Sequence, residues 1–533
     1  MRAFSQLLDD LVYTRSRNTK LRLIGDYLKQ TPDPDRGYAL AALTGELGIP
    51  TVKHAAVRAI AEERIDPVLL HMSRDYVGDM AETVALLWPT AADGVPEVDD
   101  ATVRIADAID RLRPASRLEA PRVLAAMLDH LDASGRFALL KLATGELRVG
   151  INARLAKQAL ANAFGLEVEA VEEVWHGLAP PYLELFAWAE GRGDRPIVRD
   201  VPVFRPFMLA HALDQARVSL DDYAAEWKWD GIRTQLVHSG GQTRLYSRTG
   251  DDISGSFPDV AEAFAVPGVL DGELLVRGYE QGVADVHGGA AASFNALQQR
   301  LGRKTVSSKL LSAYPAFVRL YDILFDGEED LRERPWHERR ERLEAFAKRL
   351  DPERFDVSQL IAADSFEQLE DLRANARDVA IEGIMLKRRD SGYVGGRRAG
   401  LWYKWKRDPL TADCVLMYAA RGSGKRSSFY SDYTFGCWSQ SGELLPVGKA
   451  YFGFTDEELK WLDRWIRGHT VQRFGPVREV EKALVLEVAF DSIHASSRHK
   501  SGLAMRFPRV SRIRTDKPAP EADTIVALQA MTT

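Results

Sequence analysis

Near residue 200 the apolar pattern of the chain changes period, so no single layer of one element type can serve both parts. Upstream, apolar residues recur at helical spacing. ARLAKQALANAFG (153–165) and TVKHAAVRAIAEERI (51–65), the latter with Thr51 as a candidate N-cap, are rich in strong helix formers. Downstream come strand-like runs. QLVH (235–238) and RLYS (244–247) flank Ser239-Gly240-Gly241 as a hairpin. GVLDGELLV (268–276), FVRLYDILF (317–325), IEGIMLK (381–387) and LWYKWK (401–406) follow. Among them WHERRERLEAFAKRL (336–350) predicts a helix with Leu343, Phe346 and Leu350 on one face. Between the two regimes, GRGDRPIVRDVPVFRPF (191–207) is dense in Gly, Pro and charge, and is expected to be a linker.

A third region begins near Asp408-Pro409. Its short strands and turn signals, with one helix DEELKWLDRWI (456–466), suit a small β-barrel, and the tail after Pro518 is expected to be mobile. At 533 residues the chain exceeds what one core organises, and 45% hydrophobic with 28% charged residues is a globular composition. The net charge of -6 does not exclude nucleic acid, because 71 Lys and Arg residues can form local patches, as in RHKSGLAMRFPRVSRIRTDK (498–517). Cys414 and Cys437 offer no paired metal-ligand spacing and no disulfide framework, which fits a reducing cytoplasm. No signal peptide is expected from the acid-bearing N-terminus, and no run is long enough to cross a bilayer.

The chemistry centres on AEWKWDGIR (225–233). Alternate strand residues share a face, so Glu226 and Lys228 point into one space, with Asp230 at the following turn and Gly231 allowing close backbone approach. A lysine amine freed of its proton is a nucleophile, and carboxylates beside it can hold Mg²⁺ against a phosphate. Further along, SRTGDD (247–252) offers Arg248 to phosphate or ribose, or to a salt bridge in the turn. LDGELL (270–275) places Asp271 and Glu273 on one strand face. RLYDILFDG (319–327) offers Tyr321 as a plate for a base or as plain core. IEGIMLK offers Glu382. YKWK sets Lys404 and Lys406 on one face, where they repel unless an anion lies between them. Lys387 follows Glu382 at odd spacing, which puts it on the opposite face.

Taken in order, these segments resemble the covalent nucleotidyltransferase superfamily, and within it the ATP-dependent DNA ligases of the bacterial three-domain type. Lys-Trp-Asp-Gly matches the active-site motif, SRTGDD, LDGELL, RLYDILFDG, IEGIMLK and YKWKR the later ones, and RFPRVSRIRTDK the C-terminal one. The likeness covers about 204–517, and the helical N-terminus with GELRVG (145–150) is similar to the DNA-binding domain of such ligases. The resemblance implies an all-α DNA-binding domain at 1–203, an α+β nucleotidyltransferase domain with antiparallel sheets at 204–408, and a C-terminal OB-fold β-barrel at 409–533.

It also implies roles. Lys228 would carry AMP from ATP, and Glu226 would accept from the adenine amine. Arg233, Arg248, Arg398 and Lys404, with Lys406 beside it, would hold ribose and phosphates. Glu273, Glu382 and Asp230 would serve ribose and Mg²⁺, and Tyr321 would stack on adenine. Arg506, Arg512 and Lys517 would close over the triphosphate, or Arg506 and its neighbours would face DNA alone. The implied partner is nicked duplex DNA, the implied state a monomer, and the implied setting DNA repair in the cytoplasm. Two rivals share features of the pattern: an RNA ligase or guanylyltransferase, and a nick-binding scaffold without catalysis. Glu226 and the large helical region argue against the first, the intact Lys228, Asp230, Glu273, Glu382 and Lys404 against the second. RGSGKRSS (421–428) is not a P-loop, because Ala419 and Arg426 stand where Gly and Ser or Thr are required. Every nucleotide motif lies after residue 203, so a chain lacking residues 1–200 is expected still to adenylate itself.

Overall fold

The computed structural model describes all residues except 15, 48, 50–51, 90–102, 146, 148, 199–200, 216–217, 279–293, 304, 377–379, 423–429, 452, 497–498 and 533. Thr51, parts of GELRVG and most of RGSGKRSS therefore lie outside the described residues. The chain divides into two compact units. Residues 153–407 form one, and 1–152 together with 408–533 form the other.

The N-terminal part is helical, from Arg2–Tyr13 to Leu183–Ala189. The expected helices are present as Ala153–Phe164 and His54–Glu62. The helices Ala153–Phe164, Val168–Trp175 and Leu183–Ala189 fall in the 153–407 unit, not with the helices before them. Side-chain contacts explain this: Glu173 meets Arg332 at 2.6 Å, and His176 packs on Phe204 and Tyr246. The expected linker at 191–207 is also partly built in. Phe204 and Phe207 are buried in a cluster with Tyr246, Met208 and Trp402. Gly and Pro there signalled a break in regular structure, which the two aromatic anchors make compatible with packing.

Two sheets carry the 204–407 region. One runs Leu360–Ile361, Tyr223–Trp229, Ile381–Arg388, Trp402–Lys406, His211–Ala212. The other runs Gln242–Ser247, Ile232–Ser239, Gly268–Val276, Ala316–Asp326, Glu329–Asp330. The long strands are antiparallel as expected, while His211–Ala212, Phe355–Val357 and the pair Met208–Leu209 with Gly396–Arg397 are short parallel additions. The hairpin closes on Gly240-Gly241, both at positive φ, with Ser239 paired to Gln242, so Ser239 belongs to the strand. Helix Trp336–Ala347 buries Leu343 and Phe346, and Arg339 and Arg340 with them.

The C-terminal region is sheet-rich. Strand Leu410–Arg421 pairs with Tyr430–Trp438, Val477–Val480 and Val485–Phe490, and the last also pairs with Arg509–Arg514. Thr455 and Glu458 form a capping box that starts helix Asp456–Gly468. The tail after Pro518 is not free. Trp438 Nε1 donates to the Ala519 carbonyl at 2.7 Å, the Asp523 carboxylate accepts from the Asp413 amide at 2.8 Å, and Ile525 and Leu528 are buried. Ile525, Leu528 and the Thr524 cap make a short apolar helix that the flanking Pro and Ala residues obscure.

Candidate active site

Opposed residues on antiparallel strands point the same way. Register therefore sets Glu226, Met385 and Lys404 in one row across three strands, and Lys228, Gly383 and Lys406 in the next. The register slips by one residue between Ile381 and Gly383, and Glu382 is the extra residue of a β-bulge. Gly383 makes the bulge possible. Its φ is 149°, and a Cβ there would run into the Trp405 carbonyl. The bulge swings Glu382 back over the site face, 2.5 Å from Lys228 Nζ and 3.5 Å from Lys406 Nζ.

The same bulge corrects the placement of Lys387. Parity counted from Glu382 put it on the far face, but it lies opposite Ala224 on the site face. There its ammonium donates to Glu226 at 3.0 Å and to the Tyr321 carbonyl at 3.1 Å, and sits 4.5 Å from the Tyr321 ring. Arg340 reaches the other oxygen of Glu226 at 3.4 Å. The Glu226 carboxylate is thus buried between two cations. Burial lowers the Lys387 pKa, and the charges of Glu226 and Asp322 oppose that. A glycine inside a strand pattern marks a bulge, so Gly383 was the signal that parity should be reset. Arg340 was marked by its place on the apolar face of its helix.

The second sheet supplies the opposing carboxylate. Glu273 stands across from Arg233 and accepts from the Gly231 amide at 3.2 Å. A Cβ on Gly231 would meet the Leu274 carbonyl and the Glu273 stem, so only glycine lets this turn approach. Burial, then the charges of Glu382 and Asp230, push the Glu273 carboxyl up to about 7 against the pull of Lys228 and Arg233. Burial would raise Glu382 as well, but Lys228 and Lys406 hold it down at about 2. Arg233 is committed to the Met208 carbonyl at 2.7 Å and to Asp271 at 3.2 Å, and its guanidinium lies 5.8 Å from the Tyr321 ring. Asp271 is fully buried and also accepts from Gln235 and Tyr393, so it supports Arg233 from below.

Lys404 is half-buried. Burial first, then Arg397, Lys228, Lys406 and Arg248, depress its pKa. Arg248 is exposed at the tip of its turn and Arg398 on an exposed stretch. Arg397, the neighbour of Arg398, is the residue whose charge reaches Lys404. Arg506, Arg512 and Lys517 belong to the other compact unit, where Lys517 pairs with Asp413 at 2.8 Å and Arg512 stands opposite Glu487.

A lysine paired to a carboxylate, with Lys404 and Lys406 on the same face and the Tyr321 ring of the second sheet against Lys387, is equipped to take up a group from a polyanion bearing a flat base. The fold of this region is that of a nucleotidyltransferase domain. Residues 207–406 match the ATP dependent DNA ligase domain and residues 426–517 the ATP dependent DNA ligase C terminal region. A probable DNA ligase of Koribacter versatilis is 35% identical over 76% of this chain and 73% of its own length. DNA ligase 1 of Korarchaeum cryptofilum is 31% identical over 98% and 97%. The solved structure Pmar-Lig_Pre covers 96% of this chain and 99% of its own at TM-score 0.55 and 14% identity, a likeness of fold alone. The chain belongs to the family of ATP-dependent DNA ligases, enzymes that seal breaks in DNA.

Proposed function

We propose that Lys228 is the residue that carries AMP. The observation behind this reading is the seat of Lys228 beside Glu382, on the face it shares with Lys404 and Lys406. The Lys228 amine attacks the α-phosphate of ATP and pyrophosphate leaves. The AMP passes to the 5′-phosphate of a nick in duplex DNA, and the 3′-hydroxyl then displaces it. Lys404, Lys406 and Arg248 offset the charge that develops on the phosphates. Tyr321 stacks on adenine, and Glu226, paired with Lys387 and Arg340, accepts from the adenine amine through its remaining lone pairs. Arg233 and Arg398 serve ribose and phosphates, and Arg506, Arg512 and Lys517 act on the triphosphate.

Asp230, Glu273 and Glu382 are hard oxygen donors, and burial first, then the charges of Glu382 and Asp230, raises the Glu273 carboxyl; this set fits Mg²⁺. Among the described residues no three such groups form a ready cage. That suits an ion that takes one or two carboxylates and completes its shell with waters and substrate phosphates. When bound it would neutralise phosphate charge.

Residues 1–203 would grip duplex DNA, 204–408 adenylate, and 409–533 form an OB-fold barrel. The buried free thiols of Cys414 and Cys437 suit a reducing cytoplasm, and a monomer suffices for every step. Labelled ATP followed by a denaturing gel tests the reading. The wild type should carry a covalent label that nicked DNA discharges, and Lys228→Ala and Lys228→Arg should carry none, since a guanidinium stays protonated. Labelled GTP should give little adduct, and equal labelling would remove Glu226 from base choice.

A further inference from the structure

The residues just before the matched ligase domain touch the two loops that carry Arg248 and Arg397, whose charges help to lower the Lys404 pKa. On one side, the His176 ring lies 4.7 Å from the Tyr246 ring and 6.0 Å from that of Phe204. These three rings back the turn that holds Arg248 at its tip. Gly250 of that turn has φ 85°, and a Cβ there would stand 3.2 Å from Phe204 and 3.7 Å from His176 Nε2. Burial and the charges of Lys157 and Arg244 lower the His176 pKa to about 4, so the ring is neutral at working pH, and its Nε2 is buried without a partner.

On the other side, Arg154 and Glu169 pair across the two helices at 3.7 Å and line Gly395 and Gly396. A Cβ on Gly395 would lie 3.2 Å from the Glu169 stem. Gly396 donates to the Phe207 carbonyl at 2.9 Å and leads directly into Arg397. Burial aside, Arg397 and Arg248 are among the cations that depress Lys404.

We infer that residues 153–176, with Phe204, are part of the nucleotide site: His176 positions Arg248, and the Arg154–Glu169 pair positions Arg397, so that both arginines face Lys404. This rests on the reading of that face as the ATP site. Its consequence for truncation is opposite to the sequence expectation. Removing residues 1–200 takes away the buttress and should impair self-adenylation, although every nucleotide motif is retained.

The test uses the full chain. His176→Ala should raise the ATP concentration for half-maximal adduct formation roughly 10-fold, the equivalent of one charge-assisted hydrogen bond weakened, with the maximal rate much less affected. His176→Phe, which keeps a ring under the turn, should restore most of it. Gly250→Ala, which pushes on the same rings from the other side, should raise half-saturation as His176→Ala does. In an Arg248→Ala background His176→Ala should add little, because the two act as a unit. An equal effect of His176→Ala with and without Arg248, or no change in half-saturation, would overturn the inference. Adduct formation by Lys228→Ala would instead overturn the site reading on which it rests.

Discussion

The two faces of the sheet that holds Lys228 differ in how they are determined. On one face Ala225, Trp227 and Trp229 pack with Ile381, Ile384 and Leu386 in an apolar core. On the other, Glu226 and Lys228 meet Glu382, Lys387, Lys404 and Lys406. Along Tyr223–Trp229 the apolar face follows the period-two pattern, because register is strongly specified wherever one face is buried. The charged face is decided by one bulged residue. Without the slip at Glu382, its carboxylate would point into the core and Lys228 would lose its 2.5 Å partner.

The comparison predicts different kinds of damage on the two faces. Trp227→Ala should cost about 3–5 kcal/mol of stability by opening a cavity, while the folded fraction still forms adduct. A denaturant titration beside an adduct assay separates the two effects. Lys387→Met should also cost about 3–5 kcal/mol, because it leaves the buried Glu226 carboxylate without its nearer cation. If Lys387→Met were neutral in the same titration, the buried pair would not be holding the site floor. Lys404→Ala should leave stability close to wild type and slow adduct formation by roughly 10²–10³-fold, as loss of a preorganised charge does. A variant that slowed only in proportion to its unfolding would place Lys404 on the structural side of the comparison.

A smaller effect is expected in acid. Burial would raise the Glu173 pKa, but Arg332 and Arg195 override it and hold the carboxylate below its usual 4.5. A depressed pKa stabilises the fold above the unfolded value, and that stability is lost as pH falls through the folded one. Protection from hydrogen exchange in residues 168–175, relative to the intrinsic rate, should therefore fall below about pH 4.5, and Glu173→Gln should show the reduced protection at neutral pH. Exchange in the variant that matched the wild type at neutral pH would remove Glu173 from the buttress.

Much of this was legible in the sequence, and the departures have physical causes. Strand Gly268–Val276, an apolar run buried on both faces, begins and ends where the sequence reading puts it. Glu226, Lys228, Lys404 and Lys406 share a face as parity requires, because their two strands run unbroken. Lys387 was misplaced because Gly383 interrupts the period within its strand. Arg339 and Arg340 occupy core positions of an amphipathic helix, where charge reads as solvent-facing until Asp322 and Glu226 appear beside them. The domain boundary expected after residue 203 follows the change of period near residue 200. Contacts such as Glu173 with Arg332, 159 residues apart, leave no trace in local pattern.

The central claim is that one lysine of this charged face carries the nucleotide. The direct measurement is to incubate the full chain with ATP, digest it, and locate the AMP-bearing peptide by mass spectrometry. A single modified residue, Lys228, is expected, with the modification lost when nicked DNA is added. AMP on Lys404, Lys406 or Lys387 instead, with Lys228 unmodified, would contradict it.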